Sequence, residues 1–181
     1  MRFSFILPVK NGGEYIKECV QSILAQTLQD FNLIILENKS TDGTAEWLQT
    51  LNDIRITVIP AETSLSIEEN WARILSIPKN EFITITGHDD VFDTNYLQVI
   101  NDLVDQYPAA SLYQTHFRFI DAKGKIIRSC LKMDEKQNAS DFLSSFLQRK
   151  IDVNGTGFML RSKDYDKLGG IPCSYPNLNA A

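Results

Sequence analysis

Cysteine, positive charge and long apolar runs are all in short supply in this sequence, and each shortage removes a class of function. Cys19, Cys130 and Cys173 are its only cysteines, and they are widely spaced. That spacing is neither a zinc pattern nor a disulfide framework, so the chain reads as a protein of a reducing compartment, the cytoplasm. No stretch approaches the roughly twenty apolar residues that a membrane helix needs. No signal peptide is visible: Met1-Arg2 leads straight into an apolar run that Pro8 and Lys10 interrupt. The Asn-x-Ser/Thr triplets at Asn38, Asn138 and Asn154 are, without such a signal, chance matches. Lys and Arg number 18 against 23 Asp and Glu, a net charge of -5. That balance does not suit nucleic acid or an anionic membrane. A phosphate-bearing ligand would have to be met by a metal and backbone amides. Two nucleotide motifs are missing as well. No G-x-G-x-x-G follows the first apolar run, and no G-x-x-x-x-G-K-[ST] occurs. There is no internal repeat and no low-complexity linker.

What is present suits one domain. The 181 residues are enough for a full core, and 43% hydrophobic content is that of an ordinary globular protein. Phe3 to Val9 is a continuous apolar strand closed by Pro8-Val9-Lys10-Asn11-Gly12-Gly13. Ile16, Cys19, Val20, Ile23 and Leu24 then form one helical stripe. Phe31 to Leu36 is a second buried strand, ending in the turn-rich Glu37-Asn38-Lys39-Ser40-Thr41-Asp42-Gly43. A short helix is expected over Thr44 to Leu51 and a third strand over Ile54 to Ile59. Ser66-Ile67-Glu68-Glu69 matches a capping box and opens a helix with Ile67, Trp71, Ile74 and Leu75 inward, ended by Pro78. Phe82 to Thr86 is the fourth strand. Asp93 or Thr94 caps the next helix, which buries Leu97, Ile100, Leu103 and Val104. This β-α alternation predicts an α/β fold: a mostly parallel sheet with helices on both faces.

After Pro108 the pattern changes. Ser111 to Ile120 and Lys125 to Cys130 read as the two arms of a β-hairpin about Asp121-Ala122-Lys123-Gly124. A short helix from Ser140 should bury Phe142, Leu143, Phe146 and Leu147. A turn at Asp152-Val153-Asn154-Gly155-Thr156 leads to a strand near Phe158 to Leu160. Ser162 caps a last short helix that ends at Gly169-Gly170. The tail from Ile171 to Ala181 shows no cap.

The chemistry gathers at Gly87-His88-Asp89-Asp90, delivered by the fourth strand, with Asp93 just beyond. Loops after strand carboxyl ends are where α/β sheets bind ligands. Adjacent carboxylates repel each other unless a cation sits beside them. Two readings stand: a divalent-metal and phosphate site, or a solvated acidic loop with Asp93 as a helix cap. His88 alone beside two acids is not a zinc set. The loops after the first, second and fourth strands should emerge at one sheet edge. Pro8 to Asn11 offers backbone groups to a flat ring, and Glu37 and Asn38 offer an acceptor and an amide to a base or ribose.

Taken together, these segments resemble the family 2 glycosyltransferases, which have the GT-A fold. The resemblance rests on Pro8-Val9-Lys10-Asn11 with Gln26-Thr27, on Ile34-Ile35-Leu36-Glu37-Asn38-Lys39-Ser40-Thr41-Asp42-Gly43-Thr44, on Asn70 and Arg73, and on Glu81-Phe82-Ile83 with His88-Asp89-Asp90. It implies a nucleotide-diphospho-sugar donor, a Mn²⁺ or Mg²⁺ cofactor, and inversion at the anomeric carbon. It places Pro8, Val9 and Asn11 in the base-contacting loop. Glu37 stands where an Asp usually contacts uracil or ribose, and Asn38 where a second Asp is common. Gly87-His88-Asp89 overlies the Asp-x-Asp motif, so Asp89 becomes the metal ligand and the first acid is missing. His88 and Asp90 fall to the donor site. Asn70 and Arg73 belong there too, or form the polar face of their helix; Asp42 reads as a turn or cap residue, Trp71 as core, and Asn154 and Thr156 as a turn, in a segment that the resemblance sets near the acceptor side.

The resemblance implies a single GT-A domain over residues 1–181, with 1–107 as the nucleotide-binding half and 108–181 as the start of an acceptor-side half, incomplete. The family's general base follows a segment like Leu168-Gly169-Gly170-Ile171-Pro172. No acid follows Asp166, so the base is expected beyond Ala181, with Asp152 as a stand-in. The expected partners are the donor and a glycan or lipid-linked acceptor, with the full-length protein acting at the inner membrane face. The alternative is a non-catalytic nucleotide- or glycan-binding module.

Overall fold

The computed structural model describes residues 1–171. Four parallel strands, β1 (Phe3–Val9), β2 (Phe31–Glu37), β3 (Ile56–Pro60) and β4 (Phe82–Ile85), form one side of a six-stranded sheet of order β3-β2-β1-β4-β8-β5. β8 (Phe158–Arg161) lies antiparallel beside β4, and β5 (Leu112–Gln114) is antiparallel to β8. β6 (Arg118–Ile120) and β7 (Ile126–Ser129) make a separate two-stranded hairpin.

The apolar runs are continuous because the central strands are covered twice. All seven residues of β1 are buried. On one face Phe3, Phe5, Leu7 and Val9 pack with Ile16, Cys19, Val20 and Ile23 of α1 (Tyr15–Leu24) and with Leu97, Ile100 and Val104 of α4 (Tyr96–Gln106). α2 (Thr44–Gln49) adds Leu48 to this layer. On the other face Ile6, Ile34, Leu36, Ile83 and Ile85 meet Ile74 and Tyr165. Ile74 lies in a 3-10 turn, Arg73–Ser76, that continues α3 (Ile67–Ala72); Tyr165 lies in α6 (Ser162–Lys167). Successive strand residues point to opposite faces, so a strand covered on both sides must be apolar throughout. The predicted α/β architecture, with helices on both faces and a later hairpin, is what forms. Among the described residues no helix is long and apolar enough to cross a membrane.

Several elements differ from the sequence reading, each for a physical reason. The capping box at Ser66 forms, its hydroxyl accepting from Glu69 N and Glu69 accepting from Ser66 N. Yet only half of the predicted stripe packs inward, Ile74 in the core and Trp71 against it. Ile67 and Leu75 are exposed while Asn70 is buried, because the carbonyl of Leu36 at the end of β2 needs a donor there. The helix also changes to a 3-10 turn at Arg73, before Pro78. The third strand begins at Ile56, and Ile54 stands in solvent. The cap predicted at Asp93 or Thr94 falls at Asn95, which makes no side-chain capping bond. Asp93 instead takes Arg118 at 2.6 Å.

The predicted arm Ser111 to Ile120 divides in two. Tyr113 is buried edge-on to Phe82, so residues 112–114 join the main sheet and only 118–120 enter the hairpin. α5 (Ala139–Leu147) forms, capped by Asn138, but none of its residues is buried and Leu143, Phe146 and Leu147 are exposed. Its pattern specifies an apolar stripe without specifying what meets it. Ser162 is the first residue of α6 rather than its cap, and its hydroxyl donates to Asn80 O. The predicted tail lies, from residue 172 on, outside the described residues.

Candidate functional site

The carboxyl ends of β1, β2 and β4 share one edge of the sheet, because the strands are parallel and adjacent. The three loops that leave this edge are tied to one another by side chains. After β1, Asn11 takes a left-handed backbone (φ 56°). Its amide N–H donates to Ser40 Oγ at 2.9 Å, and its side-chain oxygen accepts from Thr41 N at 2.8 Å. Asp42 reaches back to accept from Gly13 N at 2.8 Å and also accepts from Thr44 N. Hydrogen bonds from Thr44, with a further one from Gly13, hold its carboxyl below the usual range. Gly12 cannot carry a side chain here, since a Cβ would lie 2.9 Å from Ile16 Cβ. Pro8 and Val9 have buried side chains, so only their backbone can face a ligand.

Glu37 is buried, and its carboxylate accepts from Lys39 N at 3.1 Å and Ser40 N at 2.6 Å. It shapes the turn, though each carboxylate oxygen has a second lone pair. Asn38 is fully committed to the fold. Its amide donates to Leu65 O at 2.9 Å and accepts from Leu65 N at 2.8 Å, and its backbone N–H donates to Val9 O. Lys10 Nζ donates to Ser64 Oγ at 2.6 Å, a second tie to the same loop. Asn70 and Arg73 are brought together behind β2. Asn70 donates to Leu36 O at 3.2 Å and accepts from Arg73 at 2.8 Å. Arg73 also donates to Glu37 O, Ile59 O and Pro60 O. Burial pulls its guanidinium pKa down. These two residues close the ends of β2 and β3 with hydrogen bonds to main-chain carbonyls.

The loop after β4 brings the acids together. A Cβ placed on Gly87 would lie 2.8 Å from Asp89 Oδ1 and 3.0 Å from Asp90 Oδ2, so both carboxylates fold back over this glycine. Asp89 is exposed; Asp90 and His88 are half-buried. Burial raises the Asp90 pKa, Thr156 opposes that rise, the charge of Asp89 adds to it, and His88 offsets part of it. Beneath the loop, the Cys19 thiol donates to Gly87 O at 3.4 Å. Burial pushes that thiol up to about 12, with the Asp90 charge as the next cause.

From the second half of the chain, Thr156 joins this group. Its hydroxyl accepts from Gly87 N at 3.2 Å and donates to Asp90 Oδ2. The sequence marks Thr156 only as part of a turn. No spacing rule connects it to Asp90, because the contact depends on β8 pairing with β4. Asp152 stands elsewhere, held by Arg128 at 2.7 and 3.0 Å and accepting from Leu131 N at 2.8 Å. The hydrogen bond from Arg128 lowers its pKa, the reverse of what a general base requires.

Among the described residues no group of three or more His, Cys, Asp or Glu side chains could enclose a metal ion. A carboxylate pair fits a different occupant. Mg²⁺-type cations are held by one or two carboxylates, with waters and substrate phosphates completing the shell. The donor set is hard oxygen, and Gly87, having no side chain of its own, lets both carboxylates close over it.

Comparison with known proteins shows the family and the fold. The family model described as "Glycosyl transferase family 2" matches residues 4–169. The chain is 28% identical over 123 residues to glycosyltransferase GlyG of Streptococcus pneumoniae serotype 4, covering 67% of this chain and 41% of GlyG. It shares its fold with S. aureus TarS 1-349 in complex with UDP (TM-score 0.74, 16% identity, 98% of this chain and 52% of that one). It also shares it with the mannosyltransferase PcManGT from Pyrobaculum calidifontis in complex with GDP-Man and Mn²⁺ (TM-score 0.64, 19% identity, 95% and 48%). The chain thus spans about half the length, or less, of each of these proteins. Its mostly parallel sheet is that of the GT-A fold. The match along nearly all of the described chain makes this protein a member of glycosyl transferase family 2.

Proposed function

We propose that this chain binds a nucleotide-diphospho-sugar and a divalent cation, and serves an inverting transfer of the sugar to an acceptor hydroxyl. The observation that carries the reading is the convergence of Asp89 and Asp90 over Gly87, at the edge shared with the β1 and β2 loops. The base and ribose would lie between the backbone of Pro8 to Asn11 and the carboxylate of Glu37. Val9 and Glu37 are register partners, so the loops after β1 and β2 leave the sheet side by side. Asp89 and Asp90 would hold the cation, with Asp89, exposed and free to turn, as the principal ligand. Such a cation neutralises the leaving diphosphate and orients it. The chain's own groups bind the nucleotide, fix the carboxylates and narrow the loop edge. Asn38, Asn70 and Arg73 would act by holding the β2 and β3 ends rigid. The acceptor would be a glycan or lipid-linked sugar, for which the names of the relatives are the support.

Family membership, the Mn²⁺ and GDP-Man bound to PcManGT, and the UDP bound to TarS 1-349 support this reading. The paired Asp152 and the Gly87 that stands in place of a first acid favour the second reading, a binding module without transfer. A thermal-shift panel of UDP, GDP, UDP-GlcNAc and GDP-mannose, each with and without Mn²⁺, tests binding. A rise in melting temperature that requires both nucleotide and Mn²⁺, and is lost in Asp89→Asn, is expected. A panel in which Mn²⁺ changes nothing would overturn the metal site. Mn²⁺-dependent release of sugar from a bound donor separates the enzyme from the module.

A further inference from the structure

The acidic loop is held from outside its own half of the chain. The turn before β8 touches the segment from Gly87 to Tyr96 at three places. Thr156 Oγ accepts from Gly87 N at 3.2 Å and donates to Asp90 Oδ2; one residue later, Gly157 O accepts from the Tyr96 hydroxyl at 3.1 Å. We propose that Thr156 is a positioning residue for the divalent cation, fixing the Asp90 carboxylate beside Asp89 before the cation arrives. The proposal rests on the cation reading above.

Three features of the geometry carry it. First, the hydroxyl has a defined direction. A threonine hydroxyl has one proton to donate. With Gly87 N–H directed at its oxygen, that proton is left for Asp90. Branching at Cβ limits χ1 and keeps the hydroxyl in place. Second, the carboxylates repel each other when no cation is present. Asp89 is exposed and can swing away, whereas Asp90 is half-buried and tied to Thr156. The site therefore has one fixed ligand and one mobile ligand. Third, the hydrogen bond occupies one lone pair on one Asp90 oxygen and leaves the others for coordination. Partners of this kind, which orient a ligating carboxylate without touching the metal, typically change metal affinity about 10–100-fold when removed.

The test measures Mn²⁺ binding by calorimetry in the presence of saturating UDP. Thr156→Val removes the hydroxyl and keeps the branching; Thr156→Ser restores the hydroxyl. Thr156→Val should weaken Mn²⁺ about 10–100-fold, with Thr156→Ser close to wild type and metal-free UDP affinity unchanged in both. In an Asp90→Asn background, Thr156→Val should cost almost nothing further, because the two act as one unit. The wild-type chain supplies a measurement independent of variant folding: hydrogen exchange at Gly87 N–H should slow when Mn²⁺ and UDP bind. Mn²⁺ affinity unchanged in Thr156→Val overturns the proposal. So do additive effects with Asp90→Asn, an equal loss in Val and Ser variants together with metal-free UDP binding, or unaltered Gly87 exchange. Failure of the wild-type chain to bind Mn²⁺ with any nucleotide would instead overturn the cation reading, and this proposal with it.

Discussion

Residues 1–107 and 108–171 are built on different physics. In the first stretch every residue of β1 is buried and Phe5 meets Phe31 and Phe92 edge-on, both at 5.3 Å. In the second, all residues of β7 are exposed and α5 buries none. β5, β8 and α6 of this stretch join the core through Tyr113, Met159 and Tyr165, while what holds the rest in place is largely cationic. Arg128 lies 3.9 Å from the centre of the Phe119 ring and pairs with Asp152. Arg161 lies 4.8 Å from the centre of the Phe82 ring and donates to Ala110 O and Tyr113 Oη. A stretch held by close packing keeps its shape whatever binds. One held by exposed ion pairs is screened by salt and yields more readily. The proposed site stands where the two meet: its carboxylates come from the first stretch, and the Thr156 hydroxyl that donates to Asp90 comes from the second.

The contrast can be broken by experiment, most directly in the core. Phe5→Ala should cost about 3–5 kcal/mol in urea unfolding; a loss no larger than that of a surface change would show that packing does not dominate the first stretch. Next in size is the polar latch behind the site. Asn38→Ala leaves both backbone groups of Leu65 without their partner and should cost about 1–3 kcal/mol. Faster amide exchange in the loop 61–66 should accompany it; unchanged exchange there would show that the Lys10 to Ser64 and Ala61 N to Glu37 O bonds hold this loop without Asn38.

The pH response sharpens the comparison further. The hydrogen bond from Arg55 holds Asp53 at about 2, against roughly 3.9 for an unperturbed aspartate. Because the folded value is the lower one, this contribution is present above about pH 4 and is lost as the pH falls toward 2. Urea midpoints should drop across that window, and Asp53→Asn should flatten the drop. Asp152, lowered by Arg128, acts with the same sign. The smallest effect belongs to the exposed helix. Phe146→Ser should change stability by no more than about 0.5 kcal/mol; a larger loss would show that α5 is packed in solution.

The two stretches also differ in how far the sequence discloses them. Apolar runs and helical stripes locate β1, β2, β4, α1 and α4, because a doubly covered sheet leaves its strands no other composition. They find α3 but misassign Ile67 and Leu75 to its inner face, where a buried carbonyl draws Asn70 inward. They join β5 to β6, because local β propensity does not say which sheet a strand enters. At the site, the acidic pair and the β1 and β2 loops are legible as turn residues after buried strands. Their actual bonds are not, since Asn11 to Thr41, Asn38 to Leu65 and Asp90 to Thr156 cross 30, 27 and 66 positions. Position along the chain says nothing about such closures until the topology is known.

Cys19 has a consequence of its own. It lies on the floor beneath the acidic loop, fully buried, with a thiol that does not ionise at neutral pH. Alkylating reagents attack the thiolate, so the residue stays silent while it is packed in the core beneath the loop. Labelling must then proceed from molecules in which the core beneath the loop has opened, at a pace set by how often that happens. In a background with Cys130 and Cys173 changed to serine, the Cys19 labelling rate becomes a clock on that motion. It should slow when Mn²⁺ and UDP hold the loop down, and quicken when Thr156→Val releases it.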